Sequence, residues 1–334
     1  MRMSRKARSL RVAACLMAVL LLGASCGDDE DEEAAESLRV GLIMGGPKND
    51  GGFYEAGYNG ILRAQADLGI DFTVVELVSP PEGEQAFYDL AEAGNTLIIG
   101  MGADFEDGGT AAAPGLPDVQ LVVMNGRVTG PNLATYQLRE GQSAFLATYL
   151  VSLLEPENTK FGLIGGIEIP PHLTLRDGME VAMGLADRGG ELLPAAFTGS
   201  FIDVALAKEA ALAQIRNGAT VLVPWSGSAV DGAFAAVEES ADVKVIAALT
   251  DRCGQAPYFL ASAVTDPGGL IYIVISEFLS DDWKPDTSKA LGLETPEVGR
   301  VVPCGDVPDD IQARVDELKE GLINGTVEGL PPGL

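Results

Sequence analysis

The chain has little of what catalysis at neutral pH usually draws on. Its 334 residues include one histidine, His172, four cysteines and two tryptophans. A Ser-His-Asp site would have to use His172, and no G-x-S-x-G elbow accompanies it. His172 follows Pro170-Pro171 and reads as a cleft-rim or surface residue rather than a base. There is no H-E-x-x-H, and two cysteines with no nearby histidine do not complete four ligands, so no metal site and no cofactor is expected. An acidic chain offers many carboxylate pairs, but nothing here singles one out. Positive charge is scarce as well: 22 Lys and Arg stand against 49 Asp and Glu, a net charge of −27. Such a body repels phosphate backbones, so a nucleic-acid partner is not expected. A solubilising surface is the simpler use of so much acid.

No apolar run reaches the ~20 residues that a membrane span needs. The longest opens the chain: Arg2, Arg5, Lys6, Arg8 and Arg11 precede 13 apolar or small residues, 12–24. This reads as a signal peptide over residues 1–25, ending in LLGASCG. Cys26 follows small residues and is the expected lipidation point, although Gly23 stands where a lipoprotein signal usually has Leu. Removing five positive side chains brings the net charge to −32. Residues 26–37, GDDEDEEAAES with its leading cysteine, carry dense like charge without apolar periodicity and read as a solvated tether. The expected result is a body anchored to a membrane by lipid and not threaded through it. Cys253 and Cys304 are the remaining thiols, and in an exported chain they are candidates for a disulfide.

From residue 38 the pattern alternates strand, loop and helix. Short β-branched runs at 38–44, 71–77, 96–99 and 120–124 read as buried parallel strands, with helices at 57–68 and 83–93 between them. The plan then starts again. Strands at 161–164, 192–197, 220–223 and 243–248 alternate with helices at 174–188, 205–216 and 232–239. The segment 133–137 and a helix at 143–154 join the halves. This is the signature of two doubly wound α/β lobes. The tail from Asp281 is rich in Pro, Gly and Asp. Ligands of such sheets bind outside the carboxyl ends of the strands, so the strand-end loops carry the candidate chemistry.

The first of these, GLIMGGPKNDGGFYEAGYNG (41–60), is glycine-rich. Its glycine spacing does not fit G-x-G-x-x-G, and Lys48 is followed by Asn49 where a P-loop has Ser or Thr. What remains is a loop presenting Asn49, Asp50, Phe53 and Tyr54, with Asn49 or Asp50 alternatively capping the helix. The other loops offer Gly102 and Asp104, Asn125, Trp225 and Ser226, and Asp251. Phe53 and Trp225 read as exposed rings, which together with amides and carboxylates suit a flat, polar ligand.

The segments VGLIMGG…NDGGFYEAGYNG, LIIGMG, VVMNG, EGQSAFLATYL, FGLIGGIEIP, TGSFIDVALAKEAAL and ATVLVPWSG, in that order over residues 39–276, resemble the basic membrane protein family of bacterial lipoproteins. The resemblance implies a type I periplasmic-binding-protein fold with a hinge and an interlobe ligand cleft. It also implies the role of solute-binding subunit of an ABC importer, with permease subunits as partners. Family members resemble purine nucleoside receptors. By position, Phe53 and Trp225 would be stacking aromatics, and Asn49, Asp50 and Asn125 polar contacts, Asn125 where the family usually has Asp. Asp251 would be the late acid. Tyr54 stands where Asn commonly follows the Phe. Thr265 stands where a ribose-contacting lysine is expected, Asp266 replaces a base, and Leu249 occupies an acidic position.

The expected organisation is a first lobe of residues 38–138 plus about 267–283 and a second of about 139–266 plus 284–334. The expected molecule is a monomer that closes on a small, nucleoside-like solute. A receptor serving a sensor, or an exported hydrolase using the same cleft, are the alternatives left open by the residues.

Overall fold

The computed structural model describes residues 38–334; Cys26, the leader and the tether lie outside them. Among the described residues thirteen strands and nine helices follow in order. They are β1 (Arg39–Met44), α1 (Phe53–Leu68), β2 (Asp71–Val75), α2 (Gly83–Glu92), β3 (Leu97–Met101), α3 (Glu106–Ala112), β4 (Gln120–Met124), β5 (Leu133–Leu138), α4 (Glu140–Leu154), β6 (Lys160–Gly165) and α5 (Pro170–Ala186). Then come β7 (Glu191–Leu192), β8 (Ala196–Phe197), α6 (Val204–Arg216), β9 (Val221–Trp225), α7 (Val230–Glu238), β10 (Lys244–Leu249), β11 (Phe259–Thr265), α8 (Pro267–Leu279), β12 (Ser288–Leu291), β13 (Gly299–Pro303) and α9 (Asp309–Asn324).

The strands form two sheets of one plan. The first runs β12-β5-β4-β3-β1-β2, the second β13-β11-β10-β9-β6-β7, with β8 also pairing β6. All pairings are parallel except that of β13 with β11. Strands buried on both faces read as continuous apolar runs, and β1 and β3 show this with no buried position exposed after Arg39. Helices α1 and α8 cover one face of the first sheet through Ile61, Leu270, Ile271 and Val274. Phe87, Leu90 and Phe105 cover the other. In the second lobe α4, α5 and α9 pack on one face and α6 and α7 on the other. A helix apolar all round must be buried, and in α4 the residues Gly141 to Leu153 are buried without a break.

The chain passes between the lobes three times, at 138–140, 265–267 and 291–299. The crossings are tied together. The Arg139 N–H donates to Leu291 O at 2.8 Å and the Asp266 N–H to Val298 O at 2.7 Å. The Leu293 N–H donates to Gln142 Oε1 at 3.1 Å. Asp266, the residue that replaces a base, caps α8 by accepting from the Gly268 and Gly269 N–H groups at 2.8 and 3.1 Å.

Several elements differ from expectation. Residues 288–291 pair with β5 in the first sheet, whereas 284–334 was assigned as a whole to the second lobe. The tail also holds α9, a full helix. Helix α1 begins at Phe53 and not at 57, because Asp50 caps it there. Helix α3 was not anticipated, since Gly108 and Gly109 lie inside it. These two glycines serve close packing: a Cβ on Gly108 would meet the Gly83–Glu84 backbone at 2.7 Å.

A close backbone approach joins α1 to α8. A Cβ on Gly60 would lie 2.3 Å from Gly268 Cα, and one on Gly268 would lie 2.3 Å from Ala56 O. Backbone cannot give way as a flexible side chain can. Gly268→Val should therefore destabilise the protein by about 1–3 kcal/mol or more through overpacking, read as a lower urea midpoint with an unchanged m value.

Candidate functional site

In each sheet the chain turns one way from its central strand and then the other, so the crevice lies outside the ends of β1 and β3 in one lobe and β6 and β9 in the other. The two sets of loops meet. A Cβ on Gly52 would lie 3.4 Å from Ser228 N and 3.5 Å from Gly227 C. The Arg252 Nη2–H donates to Gly51 O at 3.3 Å.

The doubled glycines that end β1 and β6 have the same use in both lobes. A Cβ on Gly46 would strike the Tyr54 ring at 2.5 Å, and one on Gly166 would strike the Phe201 ring at 2.2 Å. Each pair is a seat for an aromatic ring and not a cradle for phosphate. Tyr54 is half-buried there. Burial first, then the charges of Asp104 and Asp50, push its hydroxyl up to about 12, so it stays protonated.

Asp50 is occupied by structure. Its Oδ1 accepts from the Gly52 and Glu55 N–H groups, both at 2.9 Å, and its Oδ2 from the Tyr54 N–H at 3.4 Å. This cap leaves Phe53 as the first residue of α1, half-buried and edge-on to Tyr54 at 5.5 Å. Asn49 and Asp104 are exposed beside it, and Gly102 takes φ +128° with open space on its Cβ side. Asn125 sits at φ +58°. Its Oδ1 accepts from the Leu138 N–H at 2.9 Å, which ties this loop to the first crossing and leaves its Nδ2 for another partner.

In the second lobe Trp225 corrects the sequence reading. It is 3% exposed and packs in the core beneath β6 and α4, not as an open ring. Its Nε1–H donates to Glu140 Oε2 at 2.9 Å, so it faces the first crossing. Ser226 is fully buried and its Oγ has no hydrogen-bond partner among the described residues. Thr265, at the expected lysine position, is likewise buried with its Oγ1 unpartnered. Asp251 is exposed, with Oδ1 accepting from the Cys253 N–H at 2.9 Å. Cys253 and Cys304 are joined by a disulfide with Cα atoms 4.8 Å apart. Leu249, buried at the end of β10, holds φ +66°, a strained value for a leucine. Asn125 takes the same turn after the corresponding strand β4.

His172 is a second correction. It is buried, its Nδ1 lies 3.0 Å from Ile167 O, and its ring stands edge-on to Phe201 at 5.5 Å. Burial pulls it below its ordinary value, so it is neutral at pH 7. Among the described residues no cluster of His, Cys, Asp or Glu is placed to hold a metal.

The structure thus brings together Asp50, Phe53, Tyr54 and Asp104 on one side and Trp225 and Ser226 on the other, and draws Trp225 away from the open crevice. Sequence reasoning passed over Phe201, Glu140 and Arg252. Glu140 had a signal, as an acid opening an otherwise apolar helix. Phe201 had one only in the parallel between Gly45-Gly46 and Gly165-Gly166.

A two-lobed α/β body with crossing segments and facing strand-end loops is the architecture of a solute receptor. The chain belongs to the family described as ABC transporter substrate-binding protein, PnrA-like, whose model matches residues 37–327. Basic membrane protein B of Borrelia garinii subsp. bavariensis is 25% identical over 304 residues, 87% of this chain and 88% of that protein. The ABC transporter nucleoside-binding protein BmpA of Lactococcus lactis subsp. cremoris is 22% identical over 239 residues, 69% of this chain and 68% of that one. The solved ABC transporter solute-binding protein of Conexibacter woesei superposes with a TM-score of 0.70 at 25% identity, covering 89% of this chain and all of that one. The family is one of substrate-binding receptors and not of enzymes.

Glu140 gives a test of the floor of the crevice. Desolvation raises its carboxyl above the usual range, partly offset by the Trp225 hydrogen bond. A raised acid leaves stability unchanged below the ordinary carboxylate range. Stability falls as pH climbs from there through the raised value, because the unfolded chain ionises first. Glu140→Gln keeps an acceptor for Trp225 and loses this penalty. Its melting temperature relative to the parent should therefore rise with pH from about pH 4 upward, measured by thermal denaturation across buffers.

Proposed function

We propose that this chain is a lipid-anchored receptor outside the cytoplasmic membrane. In this reading it captures a neutral purine nucleoside by closure of its lobes and presents it, chemically unchanged, to ABC permease subunits. The observation that carries the ligand class is the make-up of the crevice. A half-buried aromatic, Phe53, opens α1, while the strand ends offer amides, carboxylates and the two unpartnered hydroxyls of Ser226 and Thr265. A phosphorylated ligand would meet Asp104 and Asp251 with no lysine at Thr265 to neutralise it. A base stacked on Phe53 with its edge toward Asn125 Nδ2, and a sugar whose hydroxyls reach those of Ser226 and Thr265, uses each group without a buried unpaired charge. The nucleoside-binding name of the Lactococcus relative supports the same class.

Closure about the three crossings is a hinge motion. It desolvates the polar contacts and strengthens them. The anchor rests on Cys26 and its leader in the sequence, and the acidic tether would hold the receptor off the membrane surface. Among the described residues no helix is long and apolar enough to cross a membrane. The receptor is proposed to act as a monomer.

Thermal-shift screening of the full chain against purine nucleosides, pyrimidine nucleosides, free bases and hexoses tests the reading. Purine nucleosides should raise the melting temperature in a concentration-dependent way, and a response to hexoses alone would replace the ligand class. Phe53→Ala should weaken nucleoside binding by about 1–3 kcal/mol, the range for a base stacked on an aromatic ring, measured by calorimetry.

A further inference from the structure

We propose that Arg252 is the residue that holds the two lobes closed, and that the Cys253–Cys304 disulfide fixes the loop that carries it. Arg252 stands between β10 and β11 in the second lobe, and Gly51 precedes α1 in the first. The Arg252–Gly51 bond of 3.3 Å is the one side-chain hydrogen bond joining the crevice loops of the two lobes among the described residues. Both ends are held in place. The Gly51 N–H donates to Glu55 Oε2 at 2.9 Å, which fixes the peptide beside the accepting carbonyl. The guanidinium lies 5.6 Å from the centre of the Phe234 ring, and its Nη1–H donates to Gln255 Oε1 at 3.3 Å. These contacts lie wholly within the second lobe, so the cation keeps its position when the lobes part. A donor already ordered before it meets its acceptor loses little entropy on closing.

The backbone of the loop is fastened from below. The Arg252 N–H donates to Ser262 Oγ on β11 at 3.0 Å. One residue on, Cys253 is bonded to Cys304, which follows the edge strand β13 and donates its N–H to Leu260 O at 2.9 Å. Strand β13 emerges from the third crossing. The disulfide therefore links the Arg252 loop to the strand that leads out of the hinge. The net charge of −27 shows why a cation has value here. Two acidic bodies repel one another as they approach, and Arg252 brings positive charge to the place where the loop before α1 meets the loops of the second lobe.

The proposal rests on the reading of a crevice that opens and closes, but its test needs no ligand. Dyes coupled to a keto amino acid introduced at Gln85 on α2 and Glu209 on α6, both exposed, report the distance between lobes by single-molecule energy transfer in the full chain. Arg252→Gln should lower the closed-to-open ratio about 3- to 10-fold, the loss of one solvent-exposed hydrogen bond, and Arg252→Lys should lie between that variant and the parent. Cys253→Ser with Cys304→Ser should shift the ratio the same way and add nothing further on top of Arg252→Gln, as expected of groups acting through one contact. An Arg252→Gln distance distribution superposable on the parent's overturns the proposal, and an additive triple variant overturns the role given to the disulfide. If the serine pair fails to fold, the Gln and Lys variants still decide the role of Arg252. A failed nucleoside screen would count against the ligand class alone.

Discussion

The architecture depends on hydrogen bonds between the crossings themselves. Arg139 to Leu291, Asp266 to Val298 and Leu293 to Gln142 bind three separated stretches of chain into one short bundle. With one crossing the lobes would be joined by a flexible tether. Three that bond to each other hold the lobes in a defined relation. The strand ends of each sheet then face those of the other, and every contact discussed above, from Gly52 at Ser228 to Arg252 at Gly51, follows from that constraint.

The floor of the crevice is built from the same place. Glu140 opens α4 at the first crossing and accepts from Trp225 of β9; Asn125 reaches the first crossing through Leu138. Each lobe thus sends a polar side chain from a strand end to the hinge. Burial without a hydrogen bond is costly, and the hydroxyls of Ser226 and Thr265 accept that cost. The expectation of an exposed stacking pair fails on the Trp225 side for this reason. The indole is the partner of a buried carboxyl, and no feature of PWSGS announces one.

Much of the fold was legible. Doubly buried strands such as LRVGLIM and QLVVM carry one polar residue each, near the start, and are apolar from there on, and the repeat of strand, glycine pair and helix exposed the twofold plan. The losses have specific causes. SKAL is four residues long and half polar, and it is a strand only because β5 offers an open edge 153 residues earlier in the chain. The Asp309–Asn324 helix has few apolar residues, with Val315 and Leu322 its buried contacts, and a Pro- and Gly-rich surround hides it. For the site, sequence named strand-end loops at the crevice but could not rank their groups. Asp50 is a cap and not a free carboxylate, since the N–H groups of Gly52, Tyr54 and Glu55 take it up, and His172 lies inside because Phe201 and the Ile167 carbonyl enclose it.

That the first sheet ends with β12 has a consequence for the birth of the molecule. Its helix α8 and its last strand are made only after nearly the whole second lobe, so a growing chain carries an open β5 edge and an uncovered α1 until residue 291 has left the ribosome. Elements separated so far in sequence must wait for a long loop to close. The amino-terminal half therefore stays incomplete, and hence pliable, for as long as translation keeps its missing pieces back.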